Sequence, residues 1–94
     1  MNSFKLGELV MTRSIVDRIN KDIEFAYFID ESFSRYLNKD WGNTCKHDAR
    51  MNDKAIKNND DRIVAKYISN NYDEILIITE WDRSYTTILF LNEY

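Results

Sequence analysis

The sequence predicts an α+β fold, with two or three N-terminal helices packed on a C-terminal three- or four-stranded antiparallel sheet. Two features of the hydrophobic pattern predict it: apolar residues recur at helical spacing over residues 22–37, and the spacing becomes that of strands after residue 61. The third observation is that the β-rich runs are joined by short connections, which favours an antiparallel meander. A chain of 94 residues has room for one core, so we expect a single domain over residues 1–94.

The first elements should be a short strand and a short helix. Residues 6–11, Leu-Gly-Glu-Leu-Val-Met, are typical of a brief strand or extended segment. Thr12 or Ser14 can then cap a helix through Asn20, because a hydroxyl oxygen accepts a hydrogen bond from a free N–H group of the first turn.

The strongest helical signal follows Asp22, whose carboxylate can serve as the N-cap. The apolar positions after it fall at i, i+3, i+4, i+7, i+8, i+11 and i+12, so they lie on one face. Residues 38–43, Asn-Lys-Asp-Trp-Gly-Asn, should end this helix, because Gly and Asn accept positive φ angles. We expect the helix to be the main pillar of the core, through Phe25, Phe28, Ile29, Ser32, Phe33, Tyr36 and Leu37.

A third helix is expected from about Thr44 to Lys57. Its apolar content is thin, so it should cover the core from one side and leave most of its surface in water. Cys45 and Met51 are among the few residues expected to face the core. Residues 58–61, Asn-Asn-Asp-Asp, should end the helix.

The second half of the chain contains β-rich runs at residues 62–69, 74–80 and 86–91. The middle run includes Ile75-Leu76-Ile77-Ile78, which is apolar on both faces. It should therefore be the central strand, with helices on at least one of its faces.

Composition excludes some classes of partner and indicates a compartment. The net charge is −3, from 16 acidic and 13 basic residues, so no global field draws the protein to nucleic acid or anionic lipid. A single cysteine allows no internal disulfide and fits a reducing compartment. No apolar run approaches the roughly 18 residues of a membrane span. We expect a cytoplasmic protein that does not act at a membrane.

The motifs of catalysis and metal binding are missing from the sequence. Cys45 and His47 are the closest soft ligands, but on a helix residues two apart point about 200° from each other. The same geometry excludes a nucleophilic Cys–His pair. With two glycines there is no phosphate-binding loop. We therefore expect no metal, no cofactor and no enzymatic activity.

One loop carries paired carboxylates beside an arginine, in Glu80-Trp81-Asp82-Arg83-Ser84. Three interpretations stay open for it. It can be a polar turn in which Asp82 pairs with Arg83, a binding site that presents charge and an aromatic ring, or an acid–base pair formed by Glu80 and Asp82.

The residues with the best claim to contact a partner lie in two groups. Trp41 and Trp81 sit beside acids in predicted loops and would mark an interface if they lie on one side, since tryptophan is enriched at binding hot spots. Alternatively, each packs as a lid on the core. The third helix carries bases at i, i+4, i+8 and i+11, which form either a contact surface or an ordinary solvated face interrupted by Asp48 and Asp53. The candidate set is Trp41, Trp81, Asp82, Arg83, Lys46, Arg50, Lys54 and Lys57.

Several short segments resemble a family of small proteins from bacterial mobile elements and phages. They are Phe4–Gly7, the Asp40-Trp41-Gly42 turn, Arg62-Ile63, residues 77–84 with 86–89, and the closing Glu93-Tyr94. Members are often labelled plasmid-related or "type I restriction endonuclease subunit M". This chain departs from that label, because it has no methyl-donor loop and is too short for a methyltransferase. The resemblance implies a mobile-element setting, in which small domains block host defence nucleases.

The leading hypothesis is therefore a non-enzymatic phage or mobile-element protein that binds and inhibits a host defence nuclease. It would act in the manner of an anti-CRISPR or anti-restriction protein, on a nuclease or an RNA-guided effector complex. The alternative is a small regulatory module that binds nucleic acid through the basic helix of residues 44–57.

Overall fold

A computed structural model describes residues 4–94 of the chain. The elements are β1 (Glu8–Met11), α1 (Arg13–Lys21), α2 (Ile23–Leu37), α3 (Lys46–Asn58), β2 (Ile63–Ile68), β3 (Glu74–Thr79) and β4 (Tyr85–Phe90), followed by a short 3-10 helix, Leu91–Glu93. This arrangement confirms the predicted α+β fold. None of the helices in the described range is long and apolar enough to cross a membrane.

Local capping fixes the first two helices, as the sequence predicted. The Thr12 hydroxyl accepts a hydrogen bond from the N–H of Ile15 at 3.4 Å. The Asp22 carboxylate accepts from Glu24 and Phe25 at 3.1 and 3.2 Å. Because the N–H of Asp22 also donates to the carbonyl of Arg18, one residue ends α1 and begins α2.

The sheet has the strand order β1-β4-β3-β2. Strands β2, β3 and β4 form the predicted antiparallel meander, and β3 is flanked by strands on both sides. The fourth strand departs from the prediction: β1 pairs with β4 in parallel, from Glu8 opposite Tyr85 to Met11 opposite Ile88. The sheet is therefore mixed. The prediction missed this because no tight turn joins β1 to β4, so local sequence pattern does not set their relative direction.

The main core lies between one face of the sheet and the helices. The Tyr36 hydroxyl lies 2.6 Å from the Thr79 hydroxyl, which lies 2.8 Å from that of Thr86. Thr86 then donates to the carbonyl of Leu6 at 2.7 Å. This series of hydrogen bonds gives each of the three buried hydroxyl groups a partner. Burial raises the pKa of Tyr36. The surrounding apolar residues are Ile15, Phe25, Ile29, Trp41, Ala55, Ile63, Ala65, Tyr67, Ile75, Ile77 and Ile88.

The opposite face of the sheet carries a smaller apolar cluster. Leu76, Ile78 and Leu89 are buried there, and Val64 and Leu91 pack against them. Residues 91–94 close this face: the guanidinium of Arg62 lies over the ring of Tyr94 and donates to its hydroxyl. The Glu93 carboxylate accepts from the Thr12 hydroxyl and from the Phe90 N–H, both at 2.9 Å.

The start of α3 corrects one prediction. The helix begins at Lys46, and Cys45, predicted to be buried on it, is the exposed N-cap residue with extended backbone angles. The reason is that the Thr44 hydroxyl bonds the Trp41 carbonyl and the Lys66 N–H, which ties this segment to the edge of β2. Met51, also expected to face the core, is 43% exposed.

Candidate functional site

The basic residues of α3 form one exposed stripe. Lys46, Arg50, Lys54 and Lys57 are all exposed, whereas Asn52 and Ala55 face the interior. At 1.5 Å rise per residue the stripe is about 17 Å long, and at about 100° per residue its members fall within an arc of about 80°. The four bases, here called the α3 stripe, thus face outward together, and the exposed Asp53 lies beside Lys57 on the same helical wheel.

Arg83 fastens the turn between β3 and β4 to the end of α3. The residue has a φ of 60°, which points its partly buried side chain across the turn toward the helix. A guanidinium is suited to this place because helix C-termini present free carbonyl groups. Its Nη1 donates to the carbonyls of Asp61 (2.7 Å), Glu80 (3.1 Å) and Trp81 (3.1 Å), and its Nη2 donates to those of Ala55 and Asp60, both at 3.1 Å.

These five hydrogen bonds, here called the Arg83 clamp, bring the backbone of Trp81 close to the loop after α3. The carbonyls of Trp81 and Asp61 bond the same Arg83 nitrogen, so the turn and the loop after α3 are neighbours. The Trp81 side chain is 66% exposed. A shallow groove of about 180 Å³ lies beside the stripe, lined by Met51, Lys54, Ala55, Asn58, Asp60 and Asp61.

Asp82 has a role within its own turn. Its carboxylate accepts a hydrogen bond from the backbone N–H of Ser84 at 3.0 Å. Hydrogen bonds from the Ser84 side chain and backbone lower the pKa of Asp82, because they favour the charged form. The guanidinium of Arg83, which the sequence suggested as its partner, is instead directed at carbonyl groups.

Trp41 belongs to the core. Its side chain is 6% exposed and meets the ring of Tyr36 edge to face, with centroids 5.4 Å apart. Its Nε1 donates to the Asp53 carboxylate at 2.9 Å. Of the two interpretations that the sequence left open, Trp41 fits the lid, and the two tryptophans do not share a surface.

The structure therefore groups some of the candidate residues and separates others. The Arg83 clamp joins the turn that carries Trp81 to Ala55, which directly follows Lys54 in α3, whereas Lys46 marks the far end of the stripe. Sequence reasoning missed Met51 as a surface residue, although it lies at the boundary between the outward Lys54 and the inward Ala55 on a helical wheel. We call the α3 stripe, Met51 and Trp81 the candidate surface.

The soft ligands of the sequence lie at the opposite end of α3 from the clamp. Cys45 and His47 are both exposed at its start. Across residues 4–94, no group of three or more His, Cys, Asp or Glu side chains is placed to hold a metal ion.

No family model matches the chain, and no curated protein and no solved structure matches it either. The geometry and charge of the candidate surface are therefore the observations on which a function rests.

Proposed function

We propose that this protein acts by binding, and that its target is a host defence nuclease that it inhibits without turnover. The mobile-element setting comes from the sequence resemblance. The observation that carries the proposal is the candidate surface. There the exposed Trp81 lies in a turn that Arg83 bonds to the C-terminal end of the basic helix α3.

The chemistry of the candidate surface suits a protein target. Trp81 supplies a large aromatic anchor of the kind that dominates interface energetics. Met51 adds a flexible apolar side chain that adapts to a partner. The four bases favour association with an acidic surface, and nuclease clefts are acidic where carboxylates hold the catalytic metal ions.

The clamp supports tight binding by limiting the entropy lost on association. Trp81 lies in the turn between β3 and β4, and three of the five hydrogen bonds of Arg83, to the carbonyls of Ala55, Asp60 and Asp61, hold this turn against the end of α3. A surface that is already ordered loses less conformational freedom when it binds. Arg83 thus positions the contact residues instead of contacting the target itself.

The experiment is a titration of this protein against a purified type I restriction nuclease and an RNA-guided nuclease, with plasmid cleavage as the readout. We expect inhibition of one of them to saturate at a fixed stoichiometry, with a complex visible by size-exclusion chromatography. Trp81→Ala should weaken inhibition by about tenfold or more, since hot-spot truncations cost about 2 kcal/mol.

Tyr72→Ala is the matched control. Tyr72 is also an exposed aromatic residue in a strand connection, 87% exposed, but it lies at the opposite end of β3. Its removal should leave inhibition unchanged. If neither nuclease is inhibited or bound, or if the two variants behave alike, the proposed function is wrong.

The α3 stripe favours a second candidate, which is a nucleic-acid-binding regulatory module. Its exposed bases are spaced along about 17 Å of helix and can each approach a phosphate. Binding of labelled duplex or single-stranded RNA and DNA would then weaken steeply with salt, with a slope of log K against log salt of about −3 to −4 for four contacts. Arg50→Glu should reduce that slope, whereas Trp81→Ala should not.

A further inference from the structure

The two edges of the sheet end in different ways. At β2, the Asn52 side chain bonds both the N–H and the carbonyl of Val64, at 3.0 and 2.8 Å. The Lys66 N–H donates to the Thr44 hydroxyl at 2.9 Å, and the Lys66 carbonyl accepts from the Asn43 N–H at 2.8 Å. The outward backbone groups at the centre of this edge are therefore paired within the molecule.

The edge at β1 is open in the part of the chain that the structure describes. Glu8 and Thr12 donate inward, to the carbonyls of Ser84 and Ile88, both at 3.1 Å. Since alternate residues of a strand direct their N–H and C=O groups to opposite sides, those of Leu9 and Met11 point away from β4. No other strand among residues 4–94 lies beyond them.

The side chains of this open edge are apolar and exposed. Leu9, Val10 and Met11 are 45%, 39% and 36% exposed. Edge strands are commonly protected by charged side chains, proline or bulges, and β1 has none of these between Leu9 and Met11. An edge of this kind is a template for another strand.

We propose that β1 pairs antiparallel with the β1 strand of a second copy of this chain, about a two-fold axis at Val10. In this register Leu9 of each copy forms a hydrogen-bonded pair with Met11 of the other, which satisfies all four of their outward backbone groups. Val10 meets Val10 across the axis. The two four-stranded sheets then become one continuous sheet.

Two observations favour a second copy over an unrelated strand. The segment is self-complementary, because the antiparallel register matches apolar side chains with each other. It also places Glu8 of one copy opposite Thr12 of the other, next to Arg13, whose side chain is 93% exposed and lies 4.0 Å from the Asp17 carboxylate. The pairing also stops at two copies. The outer edges of the joined sheet are the two β2 strands, whose backbone groups are already bonded by Asn43, Thr44 and Asn52.

The register is tested by cysteine cross-linking of the full chain in a Cys45→Ser background. Val10→Cys places two thiols at a non-hydrogen-bonded antiparallel pair, where Cα atoms lie about 4.5 Å apart and a disulfide forms readily. Oxidised glutathione should convert this variant to a covalent dimer. Leu9→Cys, which faces Met11 of the second copy, should cross-link far less.

The association itself is tested by sedimentation equilibrium over a roughly hundred-fold range of concentration, where mass should rise toward twice 11.3 kDa. Leu9→Lys should raise the dimer dissociation constant about tenfold or more, and Leu9→Pro, which removes an outward N–H, should act likewise. Ile68→Lys, a similarly exposed change at the covered edge, should not. A wild-type chain that stays monomeric, or equal cross-linking of Val10→Cys and Leu9→Cys, would overturn the proposal.

Discussion

Arg83 connects three segments of the chain through a single side chain. Its planar guanidinium satisfies carbonyls at the end of α3, in the following loop and in its own turn. A lysine has a compact ammonium group and cannot reach all of them in this fork geometry. The positive φ of Arg83 is tolerated because these bonds compensate its backbone strain.

We predict that Arg83→Lys lowers the free energy of unfolding by about 2 kcal/mol, because hydrogen bonds between a charged group and several carbonyls are lost. Urea denaturation measures this change, and hydrogen exchange should show faster exchange of the amides in residues 55–61. Arg50→Lys, on the exposed stripe, is the control and should change stability by less than about 0.5 kcal/mol. Equal stability of the two variants would contradict the role of the clamp.

Asp40 gives a prediction about acid stability. The Arg35 guanidinium donates to its carboxylate at 2.8 and 3.2 Å, and this contact, with the Gly42 N–H, lowers the pKa of Asp40. A lowered folded-state pKa means that the carboxylate stabilises the fold above its ordinary pKa of 3.8 and loses that contribution as the pH falls below it.

The expected result is that Asp40→Asn is less stable than the wild type at neutral pH, and that the difference shrinks as the pH falls below 3.8. Thermal unfolding followed by circular dichroism at several pH values measures it. Arg35→Gln should flatten the acid dependence in the same way, and the double variant should add little. A difference that stays constant with pH would show that the charge of Asp40 does not contribute.

At the scale of elements, the edge of β2 depends on α3 through Asn52. This residue is 4% exposed and replaces a neighbouring strand by bonding both backbone groups of Val64. The helix therefore contributes more than apolar cover: it closes the hydrogen-bonding edge of the sheet.

Asn52→Ala should lower the free energy of unfolding by about 2 kcal/mol, because it leaves a donor and an acceptor of Val64 unpaired. It should also promote aggregation on heating, measured by light scattering, since an open edge can pair with another chain. Asn58→Ala, at the exposed end of the same helix, controls for helix propensity and should be neutral or slightly stabilising. A loss of the same size in both variants would assign the effect to propensity.

The elements that local chemistry determines were predictable from the sequence. Asp22 and Thr12 cap helices through bonds within three residues, and the meander follows from short connections. The parallel pairing of β1 with β4 was not predictable, because it joins residues about 77 positions apart. Cys45 was placed wrongly because the partner of Thr44 lies in β2, which no helical period reveals.

The candidate surface was predictable only in part, for the same reason. The α3 stripe follows from helical spacing. Trp41 and Trp81 both lie between acids and turn residues, so local sequence predicts the same degree of exposure for the two side chains. Tertiary contacts make the two side chains differ. The Asp53 carboxylate accepts a hydrogen bond from Trp41, which is 6% exposed, whereas Trp81 is 66% exposed.

At the scale of the whole molecule, residues 91–94 contact both the outer face of the sheet and the segment just before α1. Leu91 packs on the cluster of Leu76, Ile78 and Leu89, and Glu93 reaches back to Thr12 before α1. Residues 91–94 therefore shield part of the apolar outer face of the sheet.

A chain that stops after Phe90 should be less stable by about 2 kcal/mol, from the lost burial of Leu91 and the contacts of Glu93. It should also bind the dye ANS more strongly than the wild type, because the outer cluster becomes accessible. Arg62→Gln removes only the contact with Tyr94 and should have a much smaller effect on both measurements. Unchanged dye binding in the shortened chain would show that the segment does not shield this face.

The contrast between the tryptophans has a practical consequence for spectroscopy. Trp41 is 6% exposed and Trp81 is 66% exposed, and together they are the only indoles in the sequence. Acrylamide quenching should resolve a shielded fluorophore that reports on the integrity of the interior and an accessible one that reports on whatever docks at the turn. Folding and complex formation can thus be followed separately, without an added label.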